Sequence, residues 1–201
     1  RYSTVCREIS TMEHEVAYHS HHHESVIGMR REIEKGLMEQ SMEILERITG
    51  QRPRGNRSVP FDMGANTPYL LKDLGFSYDS SLMGADNPYW VPIDGQDSDI
   101  VELPVSWELD DAPFFIFTYF PYMSGLWSPD HVYDIWKQEF DGAYQEGGLF
   151  LLTMHPQLIG RRSRIAMLER LIQYINQHEG VRWARHIDAA EDWRAHVGDN
   201  V

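Results

Sequence analysis

The stretch Leu149-Phe150-Leu151-Leu152-Thr153-Met154-His155-Pro156 decides the fold. It is an apolar run without polar alternation, preceded by Gly147-Gly148 and closed by proline, and it reads as a strand buried on both faces. Strands of that kind belong to parallel sheets, and parallel neighbours need helical crossovers. The flanking sequence supplies them. Ser128 and Pro129 open a helix through about Tyr144, with Val132, Ile135, Trp136 and Phe140 on its inner face. Ile165–Ile175 reads as the next helix.

The alternation continues outward in both directions. Arg1–Met12 carries Val5, Ile9 and Met12 at helical spacing, and Glu15–Tyr18 is a short apolar strand. Met29–Thr49 is the longest helix, with Ile33, Leu37, Met38, Ile44, Leu45 and Ile48 as its stripe and Gly50 as its stop. Arg54–Ser58 reads as a strand. Asn66 caps a helix with Pro68 in its first turn and Leu70, Leu71 and Leu74 facing inward. Gly75 ends it, and Phe76–Tyr78 and Ile100–Leu103 follow as strands. Pro104–Trp127 is rich in aromatics and proline, has no clean period, and is expected to be a long functional loop. Near the end, Val181–Ala184 reads as a strand, and Asp188 with Glu191 as the capping box of the last helix. With no repeat and no linker, residues 1–201 are expected to form a single α/β domain. The sheet is open or closed into a (β/α) barrel, the barrel being preferred.

Composition narrows the partners. A net charge of −13 argues against nucleic acid and against an anionic membrane surface. Cys6 is the sole cysteine, which excludes an internal disulfide framework and is compatible with a reducing compartment, so a cytoplasmic location is expected over a secreted one. No apolar run approaches the roughly 18 residues of a membrane span. The chain begins mid-pattern, without a signal peptide, and residues upstream of Arg1 are expected in the native protein.

Every chemically suggestive residue falls just after a strand, where barrels of this kind build their sites. His19 and His23, four apart in His19-Ser20-His21-His22-His23, bring two imidazoles to one side and suit zinc or a neighbouring metal. The same loop also reads as solvated and idle. Arg57 can orient a carboxylate or be a surface cation, and Asp79 can be a site residue or a turn former. Trp107 can be a substrate wall or core, with Asp110-Asp111 beside it as a solvated pair. His155, delivered by the decisive strand, can be structural or can donate a proton to a departing nitrogen.

In this order the motifs resemble the polysaccharide deacetylase family (carbohydrate esterase family 4, the NodB-homology group). The histidine run resembles its His-x-x-x-His metal motif. Arg54-Gly55-Asn56-Arg57-Ser58-Val59-Pro60 resembles its arginine motif, and Leu74-Gly75-Phe76-Ser77-Tyr78-Asp79-Ser80-Ser81 its next segment. The run Glu102–Asp111, with Met154-His155-Pro156, resembles the branch of peptidoglycan deacetylases and PuuE-type allantoinases. Asn56 in place of an aromatic, the longer spacing to Pro60 and Pro156 after His155 depart from the pattern.

The resemblance implies a deformed (β/α) barrel and a divalent metal, most simply zinc, held by His19, His23 and an aspartate expected upstream. The base aspartate is expected upstream as well. It implies His155 as catalytic acid, Arg57 as holder of the base, and Asp79 as support for the charge network. Trp107, Asp110 and Asp111 would line the substrate pocket. The implied reaction is hydrolysis of a non-peptide C–N bond, either in an N-acetylated sugar or in a cyclic amide or imide. A carbohydrate-binding relative without turnover is the alternative from another class. The partners implied are a small-molecule or glycan substrate and a possible second copy of the chain, with no nucleic acid.

Overall fold

The computed structural model describes residues 2–198. In chain order the helices are α1 (Ser3–Thr11), α2 (Arg31–Thr49), α3 (Thr67–Leu74), α4 (Asp111–Phe115), α5 (Pro129–Glu146), α6 (Pro156–Ile159), α7 (Arg162–Ile175) and α8 (His186–Gly198). The strands are β1 (Gly55–Asn56), β2 (Tyr78–Asp79), β3 (Tyr89–Ile93), β4 (Gln96–Glu102), β5 (Phe117–Tyr119) and β6 (Tyr122–Ser124). Two compact units result: residues 1–104 with 184–201, and residues 105–183.

The first unit is built on a four-stranded sheet in the order β1-β2-β4-β3. β1, β2 and β4 run parallel and β3 closes the row antiparallel to β4. Its core holds Tyr18, Met38, Met42, Leu70, Leu71, Phe76, Val91 and Ile100. The parallel sheet expected from helix–strand alternation is present, though β1 and β2 have only two residues each. Gly50 and Gly75 stop α2 and α3 in the left-handed conformation that glycine adopts without a Cβ penalty. The inner face of α2 is rotated from the expected stripe. Glu34 and Ser41 are buried with Met38 and Met42, and Ile33 is exposed. The inward Glu34 accepts the Thr67 hydroxyl at 2.5 Å on Oε1, while its Oε2 is buried without a hydrogen-bond partner and burial raises its pKa.

The second unit packs α5 and α7 around Phe114, Phe115, Val132, Trp136, Phe140, Ile159, Met167, Leu171 and Ile175. Here the structure corrects the sequence. Leu149–Met154 is not a regular strand, since only Thr153 bridges a neighbour, Asp110. An apolar run becomes a strand only where another backbone lies beside it, and here one residue has that partner. Likewise only Tyr18 of Glu15–Tyr18 makes a bridge, to Asn56, and Val181–Ala184 is irregular. Pro104–Trp127 is not one loop: it holds a 3₁₀ turn at Trp107–Leu109, α4, and the β5–β6 hairpin. The last helix starts at His186, ahead of the expected capping box. Asp188 instead binds Arg185 through two contacts of 2.7 Å, and Glu191 binds Arg54 at 2.8 Å.

Candidate active site

In the first unit, sheet register brings polar residues into two adjacent rows at the C-terminal ends of the parallel strands. Tyr18, Asn56, Asp79 and Glu102 are successive register partners across the sheet. One residue further along, His19, Arg57, Ser80 and Leu103 form the second row. The ladder continues into it, with Arg57 N–H donating to Tyr18 O, Ser80 N–H to Asn56 O, and Leu103 N–H to Asp79 O.

The first row is buried and shares a proton. Asp79 accepts from Asn56 Nδ2 at 2.5 Å, from Ser81 Oγ at 3.0 Å and from Ser81 N–H at 2.9 Å. Glu102 Oε1 accepts the N–H groups of Ser81 and Leu82, both at 2.9 Å. Its Oε2 is buried without a donor, and the Glu102 and Asp79 carboxyls are hydrogen-bonding neighbours. Burial, then the neighbouring Asp79 charge, raises the Glu102 pKa. Three donors make Asp79 the better carboxylate, so Glu102 carries the proton of the pair and donates to Asp79.

That assignment has a pH signature. The folded pKa of Glu102 lies above the ordinary 4.5, so its stabilising contribution is full below that value and is lost as pH rises through the folded pKa. Glu102→Gln keeps the acceptor for both N–H groups, donates an amide N–H to Asp79, and does not titrate. Urea unfolding above pH 4.5 should show the variant gaining on the wild type by up to about 1.4 kcal/mol per pH unit. A difference that is constant with pH would remove the shared proton.

The second row fixes two candidate residues together. His19 Nδ1 lies 2.6 Å from Arg57 O, which places the proton on Nδ1 and the lone pair on Nε2. The Arg57 guanidinium donates to Ser80 O at 3.0 Å and Ser80 Oγ at 2.7 Å, and approaches His186 Nε2 at 3.3 Å. Burial, then the Arg57 charge, holds His186 down to about 4, so it is a neutral acceptor. His186 in turn stacks on Tyr78.

The rings of His19 and His23 are 5.2 Å apart between centroids and near perpendicular. Two imidazoles radiating from one tetrahedral ion at about 2.0–2.1 Å place their centroids about 5 Å apart, so the pair fits a metal. His23 holds φ +64° and Ser20 φ +61°, the left-handed region. Glu24 carries this conformation by accepting the N–H groups of His21 and His22. His21 turns away, its Nδ1 2.7 Å from Ser41 Oγ.

The second unit holds Trp107, Asp110, Asp111 and His155. The Asp110–Thr153 bridge sets the geometry, since Asp111 N–H donates to Thr153 O and Thr153 N–H to Leu109 O. Fully buried Asp111 grips His155 twice. Its Oδ1 is 2.6 Å from the ring Nδ1, and its Oδ2 accepts the His155 backbone N–H at 3.0 Å. This dyad fixes the ring and directs Nε2 as the proton-carrying atom. Asp110, expected beside the substrate, caps α4 by accepting Ala112 N–H at 2.6 Å. Trp107 is half exposed. Asp110, Asp111 and His155 lie close enough to hold a cation. Both Asp111 oxygens and the His155 Nδ1 are already committed to each other, so the cluster suits proton transfer better than ligation.

Sequence reasoning did not pair Asp111 with His155, and it gave Asp79 a general supporting role. The contacts on the Asp79 carboxyl come from Asn56, Ser81 and Glu102. It also missed Glu102 and His186. Glu102 was findable, as it ends its strand in the same way that Asp79 ends β2. His186 had no such signal, because the helix start was misplaced.

No family model matches the chain. Over 217 aligned residues it is 33% identical to a peptidoglycan deacetylase of Helicobacter pylori, covering 96% of this chain and 74% of the relative. The structure superposes on a putative polysaccharide deacetylase of Mycobacterium smegmatis with TM-score 0.90 and 36% identity, over 98% of this chain and 68% of that one. It superposes on PuuE allantoinase with TM-score 0.84 and 30% identity, over 97% of this chain and 64% of the other. These likenesses define the class, a hydrolase with the NodB-type α/β fold. Within it, the chain belongs to the polysaccharide deacetylase family, whose members cleave carbon–nitrogen bonds other than peptide bonds and use a divalent metal.

Proposed function

We propose that this protein removes acetyl groups from the N-acetylated sugars of a glycan. The buried Asp111 locked onto His155 carries the reading, because a held imidazole is what delivery of a proton to a leaving nitrogen requires. His19 and His23 would hold the divalent ion, most simply zinc for imidazole donors. That ion would polarise the acetyl carbonyl and acidify water. Arg57, fixed through Ser80 and His186, holds an anionic group in place, and Asp79 with Glu102 supplies the negative charge behind it. His155 Nε2 gives its proton to the departing amine while Asp111 stabilises the positive ring. Trp107 offers an apolar face to a sugar ring.

Likeness to an allantoinase supports a second reading, opening of a cyclic amide, with the same residues in the same roles. Parallel assays decide between them. Acetate release from an N-acetylated chitooligosaccharide, with allantoin untouched, is expected. Ring opening of allantoin without acetate release would reverse the assignment, and turnover of neither substrate would favour a binding protein.

A further inference from the structure

We infer that, on the deacetylase reading above, Arg161 and Arg162 form a subsite for an anionic group, carboxylate or phosphate, carried on the glycan near the cleaved N-acetyl group. Charge reverses locally here. Between Glu146 and Glu169 the chain holds Arg161, Arg162, Arg164 and His155 but no carboxylate, although the whole chain carries −13.

The three arginines are not equivalent. Arg164 is engaged in structure: Nη1 donates to Leu158 O at 3.0 Å, and its guanidinium lies 4.2 Å from the ring centroid of buried Phe115. That contact ties α6 to α4, the helix that begins at Asp111. Further along α7, Arg170 pairs with Asp130 at 3.0 Å. Arg161 and Arg162 are exposed, and neither makes an ion pair or a side-chain hydrogen bond among the described residues. Asp110 and Asp111 do not neutralise them, being buried and turned to the α4 cap and to His155.

Folding alone opposes this placement. Arg161 is the N-cap of α7 and Arg162 its first residue, with no side-chain capping bond and no acid in the first turn. Serine, threonine, aspartate and asparagine are the residues that cap helices well. The N-terminal end of a helix is partially positive, so guanidiniums gathered there repel it and one another. Residues that break a local rule without a structural return mark functional sites. A bound anion supplies the missing return.

The position suits the reaction. His155 is the N-cap of α6, and its carbonyl accepts the N–H groups of Leu158 at 2.8 Å and Ile159 at 3.0 Å. Gly160 N–H returns to Pro156 O at 3.1 Å. A Cβ on Gly160 would lie 2.5 Å from that same oxygen, so the tight turn keeps its glycine. At about 1.5 Å of rise per residue, the Arg161 backbone lies about 10 Å from that of His155. An arginine side chain spans about 7 Å. A guanidinium therefore reaches groups on the sugar whose nitrogen His155 protonates, or on its neighbour. Its planar fork matches the paired oxygens of a carboxylate or a phosphate.

The test compares three probes on the full chain with its divalent metal: neutral chitotetraose, a disaccharide containing N-acetylmuramic acid, and a chitooligosaccharide bearing a 6-phosphate. At low salt, KM for one anionic probe should lie at least about 10-fold below that for chitotetraose, and the gap should shrink as salt rises. Whichever probe gains identifies the anion. Arg161→Ser with Arg162→Ser should erase the gap through KM, leave kcat on chitotetraose unchanged, and raise the melting temperature by about 2–4 °C. Arg161→Lys with Arg162→Lys should retain part of the gap, since charge remains without the fork. Equal KM for all three probes, or a gap that survives in the serine variant, overturns the proposal. A serine variant that melts below the wild type also overturns it, because the arginines would then serve the fold. Turnover of no glycan defeats the deacetylase reading separately, and calorimetric titration of the same probes still decides the subsite. Tighter anionic binding that the serine pair abolishes keeps it, and equal binding removes it.

Discussion

Replacing His155 by alanine is expected to lower turnover of an N-acetylated glycan by about 10²–10⁴-fold, with bound metal unchanged. Asp111→Asn is expected to fall in the same range, and the reason lies in its two contacts. The His155 backbone N–H can only donate, so the asparagine oxygen must take the position of Oδ2. The amide NH₂ then faces the ring Nδ1, which must become an acceptor. That forces the other tautomer and opposes the imidazolium form, so Nε2 cannot cycle a proton. Size and burial barely change, so the melting temperature should hold within a few degrees while kcat collapses. Asp110→Asn separates the neighbouring carboxylate from the dyad: asparagine caps α4 as well as aspartate does, so stability should hold, and the charge removed lies 3.8 Å from His155 Nδ1, so kcat should fall by less than in Asp111→Asn. If Asp111→Asn keeps full kcat, the dyad is architectural and the proton comes from elsewhere.

The sequence disclosed this arrangement unevenly, and burial explains where. Helices with strong stops were legible: Gly50, Gly75 and Gly147 each take the left-handed conformation that ends a helix. The residues at strand ends were legible too, since His19, Asp79 and His155 all follow or end short apolar segments. Partners were not. That Asp111 faces His155 depends on one bridge between Asp110 and Thr153, 43 residues apart in the sequence. That Glu102 faces Asp79 depends on register between β2 and β4. Register is set by nonlocal pairing, which a single sequence does not encode at any fixed spacing. The hairpin was hidden for a related reason, as its aromatics are exposed and have no periodic inner face to detect.

The histidine pair yields the other large effect. Substituting His19 and His23 together by alanine should abolish stoichiometric divalent metal in elemental analysis and, with it, turnover. His23 alone allows a sharper experiment, because its φ of +64° is strained for any residue with a Cβ. Left-handed non-glycine residues cost about 1–3 kcal/mol and persist where the site requires them. His23→Gly relieves that strain, but its freer unfolded chain takes back about 0.4–1 kcal/mol. The metal-free variant should therefore match or slightly exceed the metal-free wild type in stability. Added zinc should separate the two. A ligand at 1,000 times its dissociation constant stabilises its binder by about 4 kcal/mol, and the glycine variant should gain almost none of it. If the strain instead served packing, His23→Gly would destabilise the metal-free protein by more than about 2 kcal/mol and leave the zinc response intact. The sign of the metal-free difference, read beside the zinc response, thus separates a ligand held under strain from a histidine that is merely structural.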